Sequence, residues 1–265
     1  MPNAAVNGLN LYYERAGDGP RLLFISGTGG DLRTQPNVFA SPLAKAFDLV
    51  AYDQRGLGRT DKPDVPYSMA QYADDAAALM DHLGWEHALV GGVSFGGMVA
   101  QELVLRHPLK VKRLVLACTS PGGEGGASFA FHEIEHLKGE ARARHLIPIS
   151  DTRRDAAWAA ANPDDYAAFV AMAASAPFAD EPGHAAGAHR QLEARAGHDT
   201  WDRLAAITCP TLIAAGRYDG IALPLTQEKM LSRIPNAQLM WFDGGHMFMI
   251  QDRAAYPAII AFLTA

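Results

Sequence analysis

Cysteine is scarce in this sequence, with Cys118 and Cys209 the only two in 265 residues. There is no Cys-x-x-Cys pair and no Cys/His spacing of the kind that binds zinc, so we predict no metal site. The two cysteines could pair with each other, but each lies beside an apolar segment with strand character. We therefore expect buried, reduced thiols.

Long apolar runs are also missing, because no uninterrupted segment approaches the ~18 residues that a membrane span needs. Residues Met1–Gly8 carry no basic region and no apolar core of signal-peptide length. We therefore expect a cytoplasmic protein without a membrane partner.

The sequence also lacks an excess of positively charged residues. The chain has 23 Lys and Arg against 29 Asp and Glu, a formal net charge of -6, which offers no attraction to phosphate backbones. Nucleic acid is thereby disfavoured as a partner, and a small molecule is the expected one. The oligomeric state is left open, a homo-oligomer included.

The remaining composition is that of a globular α/β protein, with 49% hydrophobic and 20% charged residues. Short apolar runs alternate with helical patterns, which predicts a mostly parallel central sheet with helices on both faces. Composition changes between 121 and 200, where the chain is rich in Ala, His and Arg and shows no strand pattern. We predict a core of 1–120 and 201–265 with an inserted helical segment, 121–200, in which Gly139, Pro148, Pro163, Pro177, Pro182 and Gly183 interrupt the helices.

One stretch organises the chain, namely the apolar run Ala88–Val90, the turn Gly92-x-Ser94-x-Gly96 and a helical pattern that ends at His107-Pro108. A strand, a sharp turn and a helix in this order place the serine at the apex of the turn, with its hydroxyl exposed. Glycines two positions either side of the serine remove side chains that would otherwise collide. The alternative is a glycine-rich turn with an incidental serine.

Two further polar residues follow predicted strands. Asp219 comes after Thr211–Ala215, and His246 comes after Ala237–Phe242. Parallel strands end at a common edge of the sheet, so both should approach Ser94. Asp243 and Asp252 are rivals for the acid, but we favour Asp219, since Asp243 is better placed to brace the loop of His246.

The order Ser94, Asp219, His246, together with the elbow and an Asp-x-Arg-Gly-x-Gly stretch at 53 to 58, resembles the α/β-hydrolase superfamily. The serine-led loop at Ser26 and the opening Ala5–Gly8 are similar to the 3-oxoadipate enol-lactonase and carboxylesterase branch. The resemblance implies the α/β-hydrolase fold, with the inserted segment as a helical cap over the active site. Many members carry His-Gly where this chain has Ser26-Gly27, which is a departure from the pattern.

Elementary chemistry assigns roles to these residues. A serine hydroxyl needs a base, for which His246 is the candidate, and the imidazole needs a carboxylate, Asp219, to hold its tautomer. The backbone N–H groups of Phe95 and Thr28 are the candidate oxyanion hole. We predict a cofactor-independent hydrolase of a small carboxylic ester or lactone that works through an acyl-enzyme. The alternatives are a carbon–carbon bond hydrolase of ring-cleavage products and a non-catalytic binding protein.

The substrate pocket is less defined by the sequence. Gly27 and Gly29 of the loop after the strand Arg21–Ile25 are candidate lining residues. Five apolar residues of the cap are further candidates: Trp158, Phe169, Met172, Phe178 and Leu192. These five residues could equally form the core of the cap itself. One cap arginine could pair with a substrate carboxylate, although most should be solvated: Arg142, Arg144, Arg153, Arg154, Arg190 and Arg195. The pair His132/His136 has metal-ligand spacing, but a solvated helix face is favoured.

Overall fold

An eight-stranded sheet forms the centre of the protein in the computed structural model, which describes residues 2–265. Its strands are β1 (Asn3–Val6), β2 (Leu9–Ala16), β3 (Arg21–Ile25), β4 (Asp48–Tyr52), β5 (Ala88–Val93), β6 (Val111–Ala117), β7 (Thr211–Gly216) and β8 (Ala237–Phe242). Their order is β1-β2-β4-β3-β5-β6-β7-β8. Only the β1–β2 and β2–β4 pairs are antiparallel, which confirms the predicted mostly parallel sheet.

Ten α-helices accompany the sheet in the described residues, besides short 3-10 turns: α1 (Leu43–Ala46), α2 (Met69–His82), α3 (Phe95–Arg106), α4 (Gly139–Ser150), α5 (Ala156–Ala161), α6 (Pro163–Ala174), α7 (His184–Ala196), α8 (Pro224–Arg233), α9 (Phe248–Gln251) and α10 (Ala255–Thr264). None of them combines the length and apolarity that a bilayer crossing requires. Helix α2 begins directly after Ser68, because Ser68 and Gln71 form a capping box.

Side chains of successive strand residues enter two separate cores. In β3, Leu23 and Ile25 pack into the core that contains α2 and α3, whereas Leu22 packs into the core that contains α10. Helices therefore cover both faces of the sheet, as predicted, and the parallel strands are apolar on both sides.

The segment between β6 and β7 carries α4 to α7 and, among the described residues, no strand, only isolated bridges of Gly122 with Gly126 and Asp199. The segment 121–200 remains the proposed cap. The predicted core segment 1–120 includes Met1, which lies outside the described residues. The prediction of a break at Pro148 was wrong. Pro148 lies inside the last turn of α4, where its missing N–H removes only one helical hydrogen bond.

The loop after β4 supports the loop after β3. Gln54 Nε2 donates to the Ser26 carbonyl at 2.9 Å, and the Asp53 carboxylate accepts from the Leu32 N–H at 2.7 Å. Burial raises the pKa of Asp53 to about 6. Arg55 of the same loop pairs with Asp75 rather than with Asp53, and both partners of this ion pair are buried.

Candidate active site

Ser94 lies at the apex of a strained turn between β5 and α3. Its backbone has φ 55° and ψ −116°, a region that a residue with a side chain rarely adopts. A Cβ at Gly92 would lie 2.2 Å from the Gly96 carbonyl oxygen, and one at Gly96 would lie 2.0 Å from that of Ile25. Both glycines are therefore required by close backbone approaches, and the turn has the nucleophile-elbow geometry that the spacing predicts.

Asp219 and His246 meet at the same edge of the sheet, each in the loop that follows its strand. His246 Nδ1 donates to Asp219 Oδ2 at 2.8 Å. The other carboxylate oxygen, Oδ1, accepts from the backbone N–H groups of Ile221 at 2.8 Å and Ala222 at 3.0 Å. With its side chain only 1% exposed, Asp219 is held in one orientation.

The two rival acids are engaged elsewhere. Asp243 is exposed and pairs with Arg153 at 3.0 Å. Asp252 accepts from the backbone N–H groups of Asp243 and Ala254, which lower its pKa. The structure thus pairs His246 with Asp219 rather than with either rival.

The end of cap helix α4 braces both of these loops. The Ser150 carbonyl accepts from the His246 N–H at 2.6 Å, and the Ile149 carbonyl accepts from the Gly220 N–H at 3.0 Å. A Cβ at Gly245 would lie 2.1 Å from the Ser150 oxygen, so glycine permits this close approach. The cap is therefore in direct backbone contact with the loops of the acid and the base.

Ser94 and His246 line one cavity of about 690 Å³. No hydrogen bond joins these two described side chains. Catalytic hydrogen bonds are often long in a ligand-free enzyme and tighten when substrate binds. What the structure shows of this pair is therefore that both residues border the same cavity.

The candidate oxyanion donors border the nucleophile. Phe95 is the first residue of α3, so its N–H is free of helical partners and lies at the positive end of the helix dipole. In the loop after β3, a Cβ at Gly27 would lie 3.5 Å from the Ser94 Cβ, and Thr28 comes next. Gly27, Thr28 and Gly29 all line the cavity, as predicted for this loop.

The five apolar cap residues proposed as lining do not line this cavity. Trp158 and Phe169 lie together, with ring centroids 6.0 Å apart, and Phe178 is covered by the guanidinium of Arg33. Leu192 is buried against Phe131 and Ile134, and Met172 is 67% exposed. The cap instead contributes Phe131, Arg142 and Leu146 to the lining.

The Cys118 thiol lies close to Asp219 and His246. Ligand atoms of Cys118, Asp219 and His246 all lie within 4.8 Å of one another, the one such cluster that the described residues form. Burial raises the pKa of the Cys118 thiol far above its ordinary value, which keeps it protonated and disfavours metal binding. We therefore retain the prediction of no metal. Both cysteines are free, Cys118 buried and Cys209 half-buried.

The six cap arginines have distinct partners. Arg144, Arg153 and Arg190 form ion pairs with carboxylates, and Arg154 lies 3.8 Å from the centre of the Phe169 ring. Arg142 and Arg195 have no carboxylate within salt-bridge distance among residues 2–265. The sequence did not distinguish Arg142 and Arg195 from the other four cap arginines. It also missed Gln191, whose Oε1 accepts from the Gly29 N–H at 2.8 Å.

Comparison with known proteins supports this architecture. The family model described as alpha/beta hydrolase fold matches residues 20–252. A poly(3-hydroxyalkanoate) depolymerase of Ectopseudomonas oleovorans is 31% identical over 252 residues, covering 91% of this chain and 83% of that protein.

Two solved structures are similar along their whole length. The enol-lactonase of Burkholderia xenovorans LB400 has a TM-score of 0.80 at 27% identity and full coverage of both chains. An esterase of Thermogutta terrifontis, solved with malate bound, has a TM-score of 0.75 at 27% identity, covering 99% of this chain and 96% of that one. These findings confirm the fold predicted from the sequence motifs.

Proposed function

Because the chain belongs to the α/β-hydrolase fold family, we propose that it is a serine hydrolase that cleaves a carboxylic ester or lactone of a small molecule. The observation that carries this proposal is the strained Ser94 turn, which shares a cavity with an imidazole that is oriented by a buried carboxylate. The named relatives, a polyester depolymerase, an enol-lactonase and an esterase, point to acyl–oxygen bonds.

The reaction begins when the Ser94 oxygen attacks the acyl carbon and transfers its proton to His246 Nε2. Asp219 holds the Nδ1 proton and stabilises the imidazolium that forms. The former carbonyl oxygen becomes negative and is met by the Phe95 and Thr28 N–H groups, each such donor contributing about 3–4 kcal/mol to the barrier reduction.

Collapse of this intermediate expels the alkoxide, which takes the proton from His246 and leaves an acyl-serine. In a lactone the released hydroxyl stays attached to the acyl chain. Water then attacks the acyl-serine with His246 as base, and a second collapse returns the proton to Ser94 and frees the carboxylic acid.

The cavity supports a proposal for the substrate class, a small and largely apolar molecule with one anionic group. Its volume of about 690 Å³ is in the range of small-molecule sites. Arg142 is the lining cation, half-buried, and donates only to the Ile134 carbonyl at 3.2 Å. Asp31, the lining acid, is already paired with Arg33. We propose that Arg142 binds a carboxylate of the substrate.

Aryl esters of short acids test the function directly, by the absorbance of the released phenol. We expect turnover by the wild type and a loss of about 10⁶-fold in Ser94→Ala. Equal rates in the two proteins would contradict the proposal. A panel of lactones and dienoic diketo acids then separates acyl–oxygen from carbon–carbon cleavage, and the complete absence of turnover would favour a binding protein. The cytoplasmic location stays a prediction.

A further inference from the structure

Arg195 is a buried cation that forms no salt bridge within the described part of the chain. Its residue is 6% exposed, and its guanidinium donates to two hydroxyls, Thr28 Oγ1 and Ser128 Oγ, each at 2.7 Å. The guanidinium carbon lies 4.6 Å from the centre of the Phe131 ring. No carboxylate lies within 4 Å of it among residues 2–265. Burial lowers the pKa of Arg195 to about 10, so it stays charged at neutral pH.

A second buried arginine shows how unusual this arrangement is. Arg55 makes two hydrogen bonds to the Asp75 carboxylate, at 2.8 and 2.9 Å, which offset the loss of its hydration. Arg195 contacts only two hydroxyls and an aromatic face, and the Asp219 carboxylate acts on its charge from beyond salt-bridge distance. Such a cost is typical of a functional site rather than of a stabilising contact.

The hydroxyl that Arg195 binds belongs to the candidate oxyanion residue. Thr28 is flanked by Gly27, Gly29 and Gly30, and Gly29 has φ 71° and open space where a Cβ would stand, with no atom within 4 Å. A loop this rich in glycine has little conformational preference of its own. External contacts must therefore fix where the Thr28 N–H points.

Helix α7 supplies two of these contacts from consecutive turns. Gln191 binds the Gly29 N–H, and Arg195, four residues later on the same helix face, binds the Thr28 hydroxyl. Gln191 is 1% exposed, so both contacts are shielded from water. One helix of the cap thus holds two adjacent residues of a core loop.

We propose that Arg195, assisted by Gln191, is a positioning residue that orients the Thr28 N–H toward the developing oxyanion, so that docking of α7 completes the oxyanion hole. The Arg195 charge, which no carboxylate contacts among residues 2–265, adds an electrostatic contribution, because a buried cation favours the extra negative charge of the tetrahedral intermediate. This inference rests on the proposed hydrolase function.

Two variants break the contact from opposite sides. Arg195→Met removes the guanidinium, and Thr28→Val removes the acceptor hydroxyl while it keeps shape and the backbone N–H. We expect each to lower kcat by about 10- to 100-fold, the scale of a displacement near 1 Å, with KM changed less than about threefold. The double variant should lose no more than the worse single variant, because both remove one interaction.

Three measurements separate positioning from a structural role. Affinity for an aryl boronic acid, whose serine adduct carries a tetrahedral anion, should fall by the same factor as kcat. Thr28→Ser should restore most of the turnover lost in Thr28→Val. Arg190→Met, which removes a half-buried guanidinium of the same helix that pairs with Glu193 and Asp64, should match the wild type. Thermal unfolding should show that every variant is folded.

The outcomes are distinct. Inactivity of the wild type overturns the proposed function and this inference together. An active wild type with unchanged kcat and boronate affinity in Arg195→Met overturns the inference alone. A loss confined to KM also overturns it, because it would place Arg195 in ground-state substrate binding.

Discussion

Replacing Asp219 by asparagine tests the orientation of the candidate base, and the structure predicts which way the new amide will face. Two backbone donors, the N–H groups of Ile221 and Ala222, point at Oδ1, so the amide oxygen must take that position. The amide nitrogen then faces His246 Nδ1, 2.8 Å away. Two N–H groups cannot face each other, so the imidazole must present a lone pair at Nδ1 and carry its proton on Nε2.

An imidazole in that tautomer cannot accept the proton of Ser94. We expect kcat for an aryl ester to fall by about 10⁴-fold, equivalent to about 5.4 kcal/mol in the barrier. The melting temperature should change little, because both backbone donors keep an oxygen partner. The assay is steady-state kinetics with thermal unfolding as the check on folding.

Asp243→Asn is the matched control, since Asp243 is exposed and bound only to Arg153. It should retain wild-type turnover. A kcat within tenfold of the wild type in Asp219→Asn, or an equal loss in Asp243→Asn, would refute the reasoning.

Three further predictions concern stability, the elbow and the substrate. Burial lowers the pKa of His198 from 6.5 to about 4, so between pH 7 and pH 5 this histidine gains a proton only in the unfolded state. His198 should therefore lower the free energy of unfolding by about 2 kcal/mol over that range. Urea unfolding of His198→Gln should show a smaller loss of stability between pH 7 and pH 5, and a loss equal to that of the wild type would contradict the assignment. Gly96→Ala places a Cβ 2.0 Å from the Ile25 oxygen and should cost at least about 1–3 kcal/mol of stability, whereas Gly91→Ala, with its nearest atom at 3.7 Å, should melt close to the wild type. Arg142→Met should reduce the kcat/KM preference for an aryl half-ester of a dicarboxylic acid over a neutral aryl ester by about 10- to 100-fold, measured beside Arg144→Met, which should keep that preference.

Short-range sequence patterns were sufficient to predict many of the secondary-structure elements. Strand periodicity and the glycine spacing around Ser94 act over a few residues, and the structure has the corresponding elements within three positions of the predicted bounds. The convergence of Asp219 with His246 followed from a topological rule, because parallel strands end at one edge. The first strand, β1, was missed, since four residues give too short a pattern.

The cap was less predictable because its arrangement depends on distant partners. An apolar residue on a cap helix has the same local pattern whether it lines the cavity, as Leu146 does, or packs inside the cap, as Phe169 does. The same holds for charge. Arg144 and Arg195 are both helical arginines, and only tertiary packing makes one an exposed ion pair and the other a buried cation.

The most direct test of the account is covalent labelling of the folded protein by a fluorophosphonate, followed by peptide mass mapping. Such a reagent reacts with a serine only where a base and an oxyanion site act on it. We predict one adduct per chain, on Ser94, absent in Ser94→Ala and much slower in Asp219→Asn. An unlabelled wild type, or an adduct on another serine that persists in Ser94→Ala, would contradict the assignment of Ser94 as an activated nucleophile.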